Sequence, residues 1–236
     1  MLPVLILAGG LATRMRPITS TIPKALIMVA GKPFIFHQLE YLHKQGIRDV
    51  VISVGYLGDM IESALGDGSV LNMKIKYSYD GPRLLGTGGA IRKALPLLEE
   101  DFFVLYGDSF LPINFEAVLD KYEEIAYPAL MTVLKNQNEW DVSNVWYENG
   151  NLREYNKKNP NKKMHYIDYG LGVVNRTIFS RYQIDQPFDL ADLYHQLSLD
   201  HNLGGYEVHE HFYEIGSIDG LHKTEEYFKK TNKENI

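Results

Sequence analysis

Residues 7–24 read L-A-G-G-L-A-T-R-M-R-P-I-T-S-T-I-P-K, directly after the apolar residues Val4, Leu5 and Ile6. An apolar run closed by Gly9-Gly10 is the pattern of a short parallel strand, buried on both faces, that ends in a turn. Two glycines allow the backbone to approach an anion closely enough for its N–H groups to face the charge. Arg14 and Lys24 add fixed positive charge, so the stretch reads as a polyphosphate cradle. Neither G-x-x-x-x-G-K-[ST] nor G-x-G-x-x-G occurs here, and the P-loop and dinucleotide readings lose support.

Outward from the cradle, strands and helices alternate. Ile35, Leu39 and Leu42 recur at helical spacing with Gly46 as the stop, ahead of a strand at 50–54. A helix at 57–65 and a half-exposed alternating strand through Met73, Ile75, Tyr77 and Tyr79 follow. Next come a glycine-rich turn and helix over 86–98, an apolar strand at 102–106 and a helix at 115–125. This order predicts an α/β fold, Rossmann-like, with a mixed, mostly parallel central sheet flanked by helices. After about residue 126 antiparallel strands take over, at 129–134, 145–147, 152–155 and 166–174, with Asn149-Gly150 as a hairpin turn. Helices at 189–199 and 220–229 bracket a strand at 206–215, and the Lys-rich end reads as a frayed tail. The chain is thus expected to be one domain, with a nucleotide-binding half to about 126 and an acceptor half from about 127 to 236.

Composition narrows the partners. A net charge of −6, from 24 Lys+Arg and 30 Asp+Glu, argues against nucleic acid or an anionic membrane as the main partner. The absence of cysteine excludes a disulfide framework, a thiolate metal site and a cysteine nucleophile. No signal peptide or transmembrane run is visible, which makes a cytoplasmic location the expectation.

Asp108 lies just beyond the strand at 102–106, at the carboxyl end where open α/β sheets place ligands, and a carboxylate there can hold Mg2+. A competing metal reading uses His209 and His211, two apart on the strand expected at 206–215 and therefore on one face, as zinc ligands.

Residues 7–24 resemble the L-x-G-G-x-G-T-R-L-x-P-L-T-x-x-x-P-K motif of the NTP:sugar-1-phosphate nucleotidyltransferases. Ala12 stands in place of Gly and Met15 in place of Leu, and neither departure removes a charge. The resemblance extends from Leu5 to Ser217. It implies nucleotide binding by Leu7, Ala8, Gly9, Gly10, Asp80, Gly86, Thr87 and Gly88, with Arg14 and Lys24 as catalytic cations. Phe212 to Ser217 resembles the family's W-x-D-x-G-T segment, which makes Glu214 the second Mg2+ ligand beside Asp108. Lys157 occupies the place of the lysine in the family's E-K-P segment, and Asp168 to Gly172 resembles its sugar-contacting strand, which points to Lys157 and Gly170 as sugar-phosphate residues.

The implied reaction joins a sugar 1-phosphate to an NTP, giving an NDP-sugar and pyrophosphate, in a monomer or homodimer. Within the family the chain looks most like the D-glycero-D-manno-heptose 1-phosphate guanylyltransferases of surface-polysaccharide synthesis. A muramate 1-phosphate uridylyltransferase or a cytidylyltransferase stays open as an alternative. Outside it stand a GT-A glycosyltransferase, which Asp108-Ser109-Phe110 serves poorly for want of a second acid, and a silent nucleotide-sensing subunit. Because the sequence ends soon after the region of resemblance, the left-handed β-helix of bifunctional relatives is not expected here.

Overall fold

The strand before the cradle is the hub of the sheet. The computed structural model describes residues 1–11, 13–15, 17–136 and 140–234, without the side chains of Arg14, Ile18 and residues 232–234; Ala12 and Arg16 of the motif lie outside the described residues. The first half comprises β1 (Val4–Leu7), β2 (Met28–Val29), β3 (Lys32–Pro33), α1 (Phe34–Lys44), β4 (Asp49–Val54), α2 (Gly58–Leu65), β5 (Lys74–Tyr79), α3 (Gly86–Ala94), β6 (Asp101–Tyr106), β7 (Ser109–Phe110) and α4 (Phe115–Glu124). The second half adds β8 (Ala129–Lys135), β9 (Val145–Glu148), β10 (Asn151–Tyr155), β11 (Tyr166–Asn175), α5 (Leu190–Leu199), β12 (Gly204–Val208), β13 (Tyr213–Glu214) and α6 (Ile218–Glu234).

One sheet runs through both halves in the order β10-β9-β11-β6-β1-β4-β5, with β8 paired to β11 and β12 to β8. β1 pairs in parallel with both β4 and β6, and β5 continues in parallel from β4. β11 then runs antiparallel to β6. The chain thus leaves β1 toward β4 and later docks β6 on its other edge. That reversal of strand order opens a crevice at the carboxyl ends, beside Gly9-Gly10.

Side-chain alternation builds the layers. Val4 and Ile6 face Ile35, Leu39 and Leu42 of α1 and Ile61 of α2, whereas Leu5 and Val51 face Ile91 and Ala94 of α3 and Leu193 of α5. Each fully buried aliphatic contributes about 1.5–3 kcal/mol, which is why β1 is apolar on both faces. A third cluster of Met15, Ile27, Val29, Phe34, Phe110, Ile215 and Phe228 ties α6 to the cradle loop. Met15, 1% exposed, is therefore the apolar anchor of that loop, a task methionine and leucine share. At the hairpin, Asn149 and Gly150 both take positive φ, 52° and 75°, as a two-residue primed turn requires.

Four boundaries differ from the sequence expectations. The strand expected at 206–215 is two strands, because β12 pairs with β8 and β13 with β7, and 209–212 bridges two different sheets. The helix expected over 86–98 ends at Ala94 and tightens into a 3-10 turn over Leu95–Leu97, where Pro96 interrupts the α hydrogen bonds. Within the otherwise antiparallel second half, β12 joins β8 in parallel. The Lys-rich end is helical to Glu234 rather than frayed, with Phe228 packed in the third cluster and Lys229 paired with Glu225 at 2.8 Å. Among the described residues no helix is long and apolar enough to cross a membrane.

Candidate functional site

The ends of three parallel strands are stitched together at the cradle. Ala8 N–H donates to Ser53 O at 2.8 Å and Gly107 N–H to Leu7 O at 2.9 Å, which holds the loops after β1, β4 and β6 side by side. A Cβ on Gly9 would lie 3.2 Å from Gly55 N, and one on Gly55 would lie 2.6 Å from Gly9 O. The glycines thus serve a close crossing of two loops; neither Gly9 nor Gly10 takes the left-handed conformation.

A cavity of about 240 Å³ opens at this point. Leu7, Ala8, Gly9, Gly10, Asp80, Gly86 and Thr87 line it, and so do Lys24 and Asp108. Sequence reasoning missed Ser53, Leu84 and Tyr106, which also line it, as does Ala90 at the end of the glycine-rich stretch. Ser53 Oγ is buried without a hydrogen-bond partner, a polar atom that a ligand could satisfy. Its signal in the sequence was one hydroxyl among the apolar residues of β4.

The cavity is polarised by topology. Lys24 and Asp108 stand at the β1/β6 side, where Lys24 Nζ donates to Asp108 Oδ2 at 2.9 Å. Ser53, near the end of β4, and Asp80, just after β5, stand on the opposite side. Asp80 is 5% exposed and accepts Leu85 N–H at 3.2 Å; burial raises its carboxyl pKa, opposed by that bond and by Lys93. Arg14 belongs to the Thr13–Met15 3-10 turn, and its side chain lies outside the described residues.

The start of α3 is not a free anion site. Gly88 and Gly89 N–H donate to Phe188 O at 3.0 and 3.2 Å, and Phe188 N–H returns a bond to Leu85 O. Thr87 Oγ–H donates to Asp189 Oδ1 at 2.7 Å and accepts Leu190 N–H at 2.8 Å, so α3 and α5 cap one another. Gly88 faces the Phe188 ring, which a Cβ there would strike, and does not line the cavity. Its glycine is explained by packing.

Asp108 and Glu214 come from adjacent backbones. β13 pairs Glu214 with Ser109, and Ile215 N–H donates to Asp108 O at 3.0 Å. Asp108 faces the cavity, whereas the Glu214 carboxylate accepts Gly216 N–H and, at 2.6 Å, Ser217 Oγ–H at the entry to α6. Two carboxylate oxygen donors suit a hard divalent cation that takes its remaining ligands from phosphates and water. His209 and His211 lie in the link between β12 and β13, not on one strand face as expected, and His211 packs against Trp140 with ring centroids 5.5 Å apart. Among the described residues no group of three or more His, Asp or Glu converges as a metal site.

The residues expected on the acceptor side adjoin the cavity across Tyr106. Gly170, at φ 106°, occupies a shift in the β11–β8 register, and a Cβ there would lie 3.5 Å from the Tyr106 ring. Its N–H donates to Asp168 Oδ1 at 3.0 Å. Burial pushes the Asp168 carboxyl up to about 6, against the pull of that bond and of the Lys157 charge. Burial first, and the Asp168 charge next, raise the phenols of Tyr106, Tyr155 and Tyr194, which remain neutral donors. Asp168, a residue the sequence reading placed in the sugar strand without giving it a role, thus holds Gly170 by a hydrogen bond and feels the Lys157 charge.

Known proteins resemble this chain in sequence and in fold. The model of the nucleotidyl transferase family matches residues 3–142. A D-glycero-alpha-D-manno-heptose 1-phosphate guanylyltransferase of Campylobacter jejuni is 31% identical over 189 residues, 80% of this chain and 82% of its own length. An N-acetylmuramate alpha-1-phosphate uridylyltransferase of Neisseria meningitidis is 46% identical over 114 residues, 48% of this chain and 49% of its own. In fold, the chain is similar to HddC from Yersinia pseudotuberculosis complexed with GMP-PN, with a TM-score of 0.79 at 24% identity over 97% of this chain and 100% of that one. The strand-end cavity, its lysine–aspartate pair and a family match over more than half of the chain agree, and the chain belongs to the nucleotidyl transferase family.

Proposed function

We propose that the protein transfers a nucleotidyl group from GTP to D-glycero-α-D-manno-heptose 1-phosphate. The observation that carries the reading is the Lys24–Asp108 pair at the phosphate end of a cavity lined by Leu7 to Gly10. The flat base fits the slot between Leu7, Leu84 and Ala90, with Ser53 and Asp80 as its polar contacts, and the triphosphate runs toward Lys24. An oxygen of the sugar phosphate attacks the α-phosphorus as the bond to the pyrophosphate oxygen breaks. The nucleophile is already anionic and needs no base, so positioning and charge neutralisation supply the rate. Asp108, with Glu214 after release from Gly216 and Ser217, would hold Mg2+, which when bound neutralises charge on the phosphates.

The choice of guanine and heptose follows the guanylyltransferase relative, whose match spans four-fifths of both chains. The muramate uridylyltransferase reading is second, favoured by its higher identity over half the chain. A pyrophosphate-release screen of four NTPs against a panel of sugar 1-phosphates separates them. GTP with the heptose phosphate is expected to exceed UTP or CTP with the same acceptor by about tenfold or more in kcat/KM, a margin one or two base hydrogen bonds supply. UTP with a muramate phosphate as the best pair would sink the heptose reading and leave the transferase.

Asp168 is the acceptor-side group whose charge changes near neutrality, and we assign it a sugar hydroxyl. Protonation removes its acceptor, so KM for the sugar phosphate is expected to rise as pH falls through about 6. Asp168→Asn should abolish the protein's part of that dependence and leave only the titration of the substrate phosphate. The same shift acts on stability: the folded carboxyl binds its proton more tightly than the unfolded one. Its contribution is fully present at acid pH, below the unfolded value near 4, and is lost as pH rises through about 6. Identical KM–pH profiles for the two proteins would remove Asp168 from the acceptor site.

A further inference from the structure

α1 carries a buried amide whose two donors both reach the Asp108 turn. Gln38 is 2% exposed, and its Nε2 donates to Tyr106 O at 3.0 Å and to Ser109 O at 2.7 Å. Tyr106 ends β6 and Ser109 begins β7, so the two bonds grip the Gly107-Asp108 turn on both flanks. Both partners are carbonyl oxygens, which obliges the nitrogen to face them. Gln38 Oε1 is left buried with no partner.

A buried amide with an orphaned oxygen is a poor core residue, since an aliphatic side chain of similar size would avoid the desolvation cost. Its N–H groups are what leucine or methionine would lack. The rest of the turn is already held: Gly107 N–H donates to Leu7 O and Asp108 O accepts Ile215 N–H. Gln38 adds the two flanking carbonyls, which removes the rotation of the turn that would swing the Asp108 side chain. We infer that Gln38 is a positioning residue of the transfer reaction, aiming the Asp108 carboxylate at the cation and at Lys24. This inference rests on the reading of Asp108 as a metal ligand.

Gln38→Met keeps length and approximate volume and deletes both donors. The melting temperature is expected to fall by several degrees with the fold kept, because Tyr106 O and Ser109 O lose their donor, a cost offset in part by removal of the orphaned oxygen. Mn2+ binding, read by electron paramagnetic resonance with a non-hydrolysable GTP analogue present, should weaken about fivefold or more. kcat should fall about tenfold, with KM for both substrates within about twofold. In an Asp108→Asn background the same change should cause no further loss of Mn2+ affinity, the signature of action through that residue. If Gln38→Met does not fold, Gln38→Leu takes its place in every measurement. Wild-type Mn2+ affinity in the folded variant, or an equal further loss in the Asp108→Asn background, overturns the inference. Wild-type Mn2+ binding by Asp108→Asn alone overturns the metal reading and this inference with it.

Discussion

Lys24→Ala is expected to lower kcat by at least about a hundredfold while the protein stays folded. Lys24 Nζ is fixed 2.9 Å from Asp108, its side chain is only 16% exposed, and it opens onto the cavity that would take the triphosphate. A preorganised cation facing charge that develops on a transferring phosphoryl group contributes about 3–4 kcal/mol to the transition state, as single-donor deletions in other active sites do. Bound nucleotide carries most of its charge already, so KM for the NTP should change less than kcat. The cost in stability should be below about 1 kcal/mol, because the partner carboxylate is 34% exposed and regains water when the ammonium is lost. Steady-state kinetics with a parallel thermal melt decide the matter. A folded variant that keeps more than about a third of the wild-type rate would take Lys24 out of the mechanism.

Asp108→Asn should abolish divalent-dependent turnover, a loss of about a thousandfold or more, because it deletes the charge of the carboxylate that stands beside Lys24 in the cavity while keeping its shape. Glu214→Gln should be milder in rate. Its carboxylate is engaged with Gly216 and Ser217 at the entry to α6, so part of its effect should surface as lost stability. Chelation with EDTA should inhibit and added Mg2+ should restore activity. Activity that survives chelation, or that returns only with zinc and disappears in His209→Ala, would mean that the metal has been placed wrongly.

Much of this was legible one residue after another. The apolar run before Gly9, the helical spacing of Ile35, Leu39 and Leu42, and Asn149-Gly150 each report a local preference of the backbone, and each element formed where its pattern lies. Lys24 and Asp108 were also legible, since a lysine after a glycine turn and an acid after a buried strand end are local features that the fold need only bring together. Residues 206–215 misled because β12 and β13 are adjacent in sequence but have partners in different sheets, and a run of extended residues does not say which edge it will join.

What the sequence by itself determined is the longer helices and strands and the end of the sheet at which charge collects, because the period of 2 or 3.6 residues is written in the chain. Only the tertiary structure decided which polar atoms are satisfied. Ser53 Oγ is left open in the cavity, Gln38 is spent on two carbonyls of the Asp108 turn, and Gly88 is closed off by Phe188. Each outcome depends on a group on another element meeting it within about 3 Å, a relation that exists only once the layers have packed.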